Sequence, residues 1–330
     1  MKKPILAAVL LALALPAAAQ DVTVKLGTLA PLGSSWHEIL KELAERWSQI
    51  SGGKVKLRIY PGGTQGNEGE MVRKMAVGQL QAASITAVGM HDVLAEPQAL
   101  TVPLMFENRV EMEHVFRRVQ PQLDAALEKK GYVALQWSTV GSIKFFCTKP
   151  YRTPAEMGDA KVFAWEGDPA SVQAWKAAGF QPVVLSSTDT VPALQTGMIS
   201  CITSVPLYVL TARLFERASH MMDVSWGYLV GATLVRKDAW ERVPADLRPK
   251  LLQAARELGG RIDAEVDRLN DDAVAAMQKQ GLDVVKVDAA AWRASGEKAW
   301  PVVRGKVIPA PFFDLVKKER DAYRAANPRK

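Results

Sequence analysis

The chain has 330 residues, room for about two domains at 100–200 residues each. Its 48% hydrophobic and 23% charged residues are ordinary for a soluble globular protein, which excludes low-complexity disorder, and two cysteines are too few for a disulfide scaffold. The net charge of +7 includes basic pairs (Arg117-Arg118, Lys129-Lys130, Lys317-Lys318) interleaved with acids, the pattern of solvated helix faces, so no nucleic-acid partner is expected.

Residues 1–19 open with Met-Lys-Lys, continue through an apolar run at 5–15 and end in small residues, the order of a secretory signal peptide. The 11-residue run is too short to cross a bilayer core of about 30 Å. Cleavage is expected after Ala19, leaving a periplasmic mature chain; no cysteine at the cut offers a lipid anchor. Loss of Lys2 and Lys3 brings the net charge to +5. Cys147 and Cys201 could pair in an oxidising compartment or remain two separate buried thiols.

Val22, Val24 and Leu26 alternate with polar residues as in a strand. Ser35 and Glu38 have capping-box spacing, followed by Leu40, Leu43, Trp47 and Ile50 at helical spacing and a Gly52-Gly53 stop. A second alternating strand at 55–59 completes a βαβ unit, which requires a parallel sheet. The glycine-rich loop 61–69 opens a helix near Glu68–Val77, and a third strand follows at Ala82–Thr86. The same order returns in a strand at 161–165, a helix capped at Asp168-Pro169, a strand at 181–185, a short helix and a strand at 198–203. A strand at 227–240 returns the chain to the first half. A helical pattern from Pro244 to about Gln280 is longer than one lobe needs and is expected to brace both. Late helices fall around Ala291–Ala299 and Pro311–Ala325.

These elements predict an α/β clamshell with a central cleft: two lobes, a long bracing helix and hinge strands near 140–146 and 228–236. The expected division is lobe I at 20–142 plus 232–262, and lobe II at 143–231 plus 263–330.

Catalytic patterns are scarce. His37-Glu38 lacks the second histidine of a zinc-protease helix, and no CxxC, Walker A or G-x-S-x-G pattern occurs. No metal, cofactor or enzymatic activity is expected. The loop 61–69 matches no phosphate cradle and reads as a tight turn. Because ligands in open parallel sheets bind beyond the carboxyl ends of strands, the loops there become candidates. They supply Trp36, Gln65, Asn67, His91, Trp165, Glu166, Thr203 and Ser204. Of the nine tryptophans, Trp47 and Trp175 fall in helical phase with apolar neighbours and read as core, and Trp240, Trp292 and Trp300 as packing. Trp36, Trp165 and Trp226 sit where an aromatic wall would stand.

Four stretches, 25–36, 55–81, 150–169 and 180–200, resemble the periplasmic solute-binding proteins of tripartite ATP-independent periplasmic (TRAP) transporters, of the DctP type. KLGTLAPLGSSW, the glycine-rich second stretch and the late ALQTG carry the likeness together. The resemblance implies a two-lobed fold of the type II periplasmic-binding-protein kind and a receptor that captures a small solute and delivers it to TRAP membrane permease subunits without hydrolysing nucleotide; a monomer is expected, and the same fold could also serve a membrane signalling protein. It also implies arginines that fork onto a solute carboxylate. Here the K-x-R pattern reads Lys161-Val162-Phe163, the arginine near the hinge falls at Ile143 or Lys144, the DGQEN-like stretch reads Ser200 to Ser204, and Thr86 stands where some members carry glutamate. Phenylalanine offers no donor for a carboxylate. The expected solute is therefore less charged and more apolar or aromatic than a dicarboxylate, walled by Phe163, Trp165 and Trp226. The competing expectation is an organic acid held by Lys144.

Overall fold

The structure, a computed structural model, describes residues 21–166 and 169–328; the leader and the Asp168 cap lie outside the described residues. The chain begins with β1 (Val22–Thr28), α1 (Ser35–Ser51), β2 (Val55–Tyr60), α2 (Glu68–Ala76) and β3 (Ala82–Thr86). β1 runs parallel to both β2 and β3, so each connection must cross over through a helix. Val24 and Leu26 point inward by the alternation that marks the strand, and Leu40, Leu43 and Trp47 cover them from α1. The cap of α1 is Ser34, one residue earlier than the Ser35 spacing suggests: Ser34 Oγ accepts from His37 N at 3.3 Å. His37, whose Nδ1 accepts from Gly33 N, is engaged in the same turn.

α3 (Arg109–Lys129) leads into β4 (Tyr132–Cys147), a 16-residue strand. The second half repeats the α/β plan with β5 (Lys161–Trp165), α4 (Pro169–Ala177), β6 (Gln181–Leu185), α5 (Thr190–Thr196), β7 (Cys201–Ser204) and α6 (Pro206–Thr211). β8 (His220–Arg236) then returns over 17 residues to α7 (Lys237–Glu241) and α8 (Arg248–Gln278). β9 (Asp283–Val285), α9 (Ala289–Glu297), the single turn α10 (Trp300–Val302) and α11 (Ala310–Ala326) close the chain.

The strands form one nine-stranded sheet in the order β2-β1-β3-β8-β4-β7-β5-β6, with β9 beside β8. β4 and β8 belong to both halves. Residues 82–86 of β3 pair with 231–235 of β8, whereas Lys144–Cys147 of β4 pair with β7, and β9 pairs with the start of β8. Because β4 and β8 pair with each other along most of their length, the halves share one ladder, broken by register shifts near Gln136, Gly141 and Phe145.

Cys147 and Cys201 stand directly opposite across β4 and β7 and form a disulfide, which settles the open alternatives of the sequence. The pair is fully buried in the second half.

The 31 residues of α8 span about 46 Å at 1.5 Å per residue. Leu251 O, near its start, accepts from Trp47 Nε1 in the first half, and Met277, near its end, packs with Phe146 and Ile202 in the second. In between, Asn270 accepts from Leu207 N at the start of α6 and donates to Val140 O on β4. The Cβ that an alanine would add at Gly259 would lie 2.6 Å from Gln136 Oε1, so glycine lets the helix lie close over β4. α11 rests on α3: Arg324 Nε donates to Glu111 Oε1 at 2.5 Å, and Arg118 pairs with Glu319 at 2.9 Å.

Candidate functional site

A cavity of 380 Å³ lies between the two halves, within the range of small-molecule sites. Its first-half face comes from β1, β3, β4 and β8, which present Thr28, Ser84, Thr86, Gln136, Ser138 and Thr233. Its second-half face comes from β5, β7, α4 and α6, with Phe163, Trp165, Trp175, Thr203, Ser204 and Tyr208, and Trp226 completes it from β8. Ile262 of α8 also lines it.

Of the residues expected at the site, Trp36, Thr86, Phe163, Trp165, Thr203, Ser204 and Trp226 line the cavity. The other five have partners elsewhere. Gln65 Oε1 and its carbonyl take Lys74 Nζ. His91 Nδ1 lies 2.8 Å from Gln98 Nε2, and Gln98 in turn reaches the cavity. Lys144 Nζ turns to Asp223 at 3.4 Å and Ser225 at 3.5 Å, away from the cavity, because alternation along β4 sends its neighbour Ile143 inward instead.

Asn67 and Glu166 meet each other across the halves. Asn67 caps α2, where Oδ1 accepts from Glu70 N while Glu70 Oε2 accepts from Asn67 N, a full capping box. Its Nδ2 donates to Glu166 Oε1 at 2.9 Å and to Ser186 Oγ at 3.1 Å. Around it, a Cβ at Gly69 would meet the Trp165 ring at 3.1 Å, and one at Gly63 would come within 3.4 Å of the Thr188 methyl. The glycines of loop 61–69 thus allow close approach to the second half.

Trp175 departs from its core reading. It stacks on Trp226 with ring centroids 5.8 Å apart at 14° and lines the cavity. Phe145, Phe180 and Trp292 surround Trp226 at 5.2, 5.5 and 5.9 Å, so the wall is backed by a fixed aromatic cluster.

Among the described residues lining the cavity, Glu68 is the one that carries a carboxylate, and none is lysine, arginine or histidine. Burial pushes the Glu68 carboxyl above its usual range, opposed by hydrogen bonds from Thr86 Oγ1, Thr86 N and Gly89 N. A Cβ at Gly89 would lie 2.2 Å from Glu68 Oε2, so only glycine leaves space for that carboxyl. Burial, and then the Glu68 charge, raises the Tyr208 hydroxyl. On α8 behind the hinge strands, burial pushes Asp263 up to about 6 although Thr139 N donates to its Oδ1 at 2.8 Å.

Two halves on a shared ladder with a small-molecule cavity between them define a two-lobed clamshell of the type II binding-protein class. The profile of the DctP family, described as bacterial extracellular solute-binding protein, family 7, matches residues 26–305, and the chain belongs to that family. It is 25% identical over 293 residues, 86% of each chain, to the C4-dicarboxylate-binding periplasmic protein DctP of Rhodobacter capsulatus. Identity is 22% over 260 residues, 76% of this chain and 77% of the other, to the 2,3-diketo-L-gulonate-binding periplasmic protein YiaO of Escherichia coli. A TRAP periplasmic solute-binding protein of Xanthobacter autotrophicus, solved with β-D-galacturonate, superposes with a TM-score of 0.84 at 16% identity, covering 90% of this chain and 99% of that one. One from Sulfurospirillum deleyianum, solved with succinate, gives 0.83 at 22% identity, covering 91% and 99%. Among the described residues no helix is long and apolar enough to cross a membrane.

Proposed function

We propose that the chain, freed of its leader after Ala19, is a periplasmic receptor that closes its two lobes on a small solute. The solute is uncharged or weakly charged and apolar or aromatic, and the receptor passes it unaltered, as a monomer, to TRAP membrane permease subunits. The lobes meet near residues 142 and 231; α11, expected in the second lobe, is assigned to the first instead, because its ion pairs go to α3.

One observation supports the solute class: Phe163 lines the cavity where the resemblance places one arginine, Ile143 lines it at one of the two positions (Ile143 or Lys144) to which the other falls, and no described residue lining the cavity is cationic. A carboxylate closed into this cavity would lose its water without gaining a cation, at a cost of several kcal/mol. The test is a thermal-shift screen of the mature protein. Ligand at 100 times its dissociation constant adds about 2.7 kcal/mol, a shift of several degrees. Aromatic and apolar neutral solutes are expected to raise Tm, whereas succinate, glucuronate and galacturonate leave it unmoved. The reverse pattern overturns the solute class. The organic-acid reading through Lys144 has its own test: Lys144→Ala is expected to leave affinity unchanged, and loss of binding would restore that reading.

A further inference from the structure

The cavity differs in chemistry from one end to the other. Across the first-lobe sheet, Thr28 stands opposite Ser84, Ser84 opposite Thr233 and Thr233 opposite Gln136. One pleat further along, Thr86 faces Gly231, and Gly231 faces Ser138. Residues two apart on a strand share a face, so both rows turn the same way, and every member lines the cavity. Thr233 donates to Ser84 at 3.3 Å and Thr86 to Glu68 at 2.7 Å, but Gln136 Oε1 and Ser138 Oγ are buried with no partner. Such groups are normally hydrogen-bonded, and a bound donor recovers what their burial loses. The bare backbone of Gly259 leaves the space in which the Gln136 amide sits.

The other end is apolar. Trp226, Val102, Pro103, Ala178, Val303 and Val307 line it, and Trp300 Nε1 donates to Pro103 O across its outer side. Polar side chains there are engaged locally: Thr101 Oγ1 donates to Gln98 O, and Gln98 Nε2 lies against His91. β8 carries both Trp226 and Thr233, and seven residues of strand at 3.2–3.4 Å each separate the ends by about 23 Å. Phe163, Trp165 and Ile143 also line the cavity.

Resting on the reading of an uncharged solute, we propose that the solute is a linear amphipathic molecule. Its head bears hydrogen-bond donors but no negative charge and sits on Gln136 and Ser138; its apolar tail extends past Trp226 toward Val303 and Val307. A compact aromatic ring would fill one end and leave either the unpaired acceptors or the apolar end without a partner.

The experiment is calorimetric titration of the mature protein with 1-butanol, 1-hexanol, 1-octanol and 1-decanol, beside sodium octanoate, benzyl alcohol and 1-methoxyheptane. Each added methylene is expected to lower the dissociation constant about fourfold until the apolar end is full. Octanol should bind at least tenfold better than octanoate, and better than the donor-free ether. Gln136→Leu with Ser138→Ala should erase the preference for octanol over the ether while keeping the chain-length slope. Ala178→Phe should lower the chain length at which the slope levels off and spare butanol. The slope in the unaltered protein needs no variant, so poor folding of either variant leaves the proposal exposed. A flat series, with benzyl alcohol as tight as octanol, overturns the amphipathic solute and leaves the uncharged-solute reading standing. Binding of octanoate or galacturonate in preference to every alcohol overturns both.

Discussion

The two lobes share an α/β plan but bring opposite chemistry to the cavity. The first offers short side chains on the face of a sheet, threonine, serine and one glutamine, with backbone close behind them. The second offers bulk: Phe163 and Trp165 from β5, Trp175 from α4, and Trp226 seated among Phe145, Phe180 and Trp292. They also differ in how they are held. The second contains the buried Cys147–Cys201 bridge, whereas the first relies on packing around Trp47 and Trp240, whose rings lie 5.7 Å apart. On the proposed reading, orientation of the solute and the area it buries would come from different lobes, and each could be altered alone.

Removing the bridge should have the largest effect. Its cysteines are 54 positions apart, and replacing both with alanine should cost about 2–4 kcal/mol of stability, read as a lower denaturant midpoint. Loss confined to second-lobe amides in hydrogen exchange would sharpen the contrast; uniform loss would break it. Phe163→Arg comes next. An unpaired guanidinium on the aromatic wall should weaken binding of a neutral solute by about 100-fold, roughly 2.7 kcal/mol, and admit carboxylates, as titration with both classes would reveal. Continued tight binding of the neutral solute would mean that the second lobe does not set solute class.

A subtler prediction concerns Asp263. Its carboxyl titrates at about 6 in the folded protein against 3.8 in the ordinary range, so between those values the native state holds more protons than the unfolded one. Stability should then fall as pH rises from about 4 to 6 and level off above. Asp263→Asn should flatten that stretch of the profile measured by urea denaturation, and an unchanged slope would assign it to Glu68, which is shifted in the same direction. Smallest of all, Lys144→Ala should change stability by less than about 0.5 kcal/mol, because its partner Asp223 is exposed.

Much of the frame is legible in the sequence because it rests on local signals. Alternation at Val22–Leu26, the Gly52-Gly53 stop and the long pattern after Pro244 each reflect a preference of a few neighbouring residues. α3 is harder to read: Asn108 with Glu111 three residues on marks its start, but Pro121 interrupts the interior. At the site, reasoning from strand ends reaches Trp36, Trp165, Thr203 and Ser204, and the family resemblance adds Thr86 and Phe163. It does not reach Thr28, Ser84, Gln136, Ser138 and Thr233, whose common face exists only once four strands distant in sequence are set in register. The resemblance leaves Ile143 and Lys144 as alternatives, and only the register of β4 separates them, since a one-residue difference along a strand exchanges the two faces.

The shared ladder of β4 and β8 has a mechanical consequence. Parting the lobes cannot resemble a door on a pin, because the two connecting strands are hydrogen-bonded to each other and must deform as a single ribbon. On the proposed closure, the deformation would concentrate where pairing already slips, near Gln136, Gly141 and Phe145. There Asn270 grips Val140 on one side and the start of α6 on the other. Gln136 is both a slip point and a proposed contact for the solute head, so occupancy of the cavity would stiffen the ribbon at the place where it has to flex.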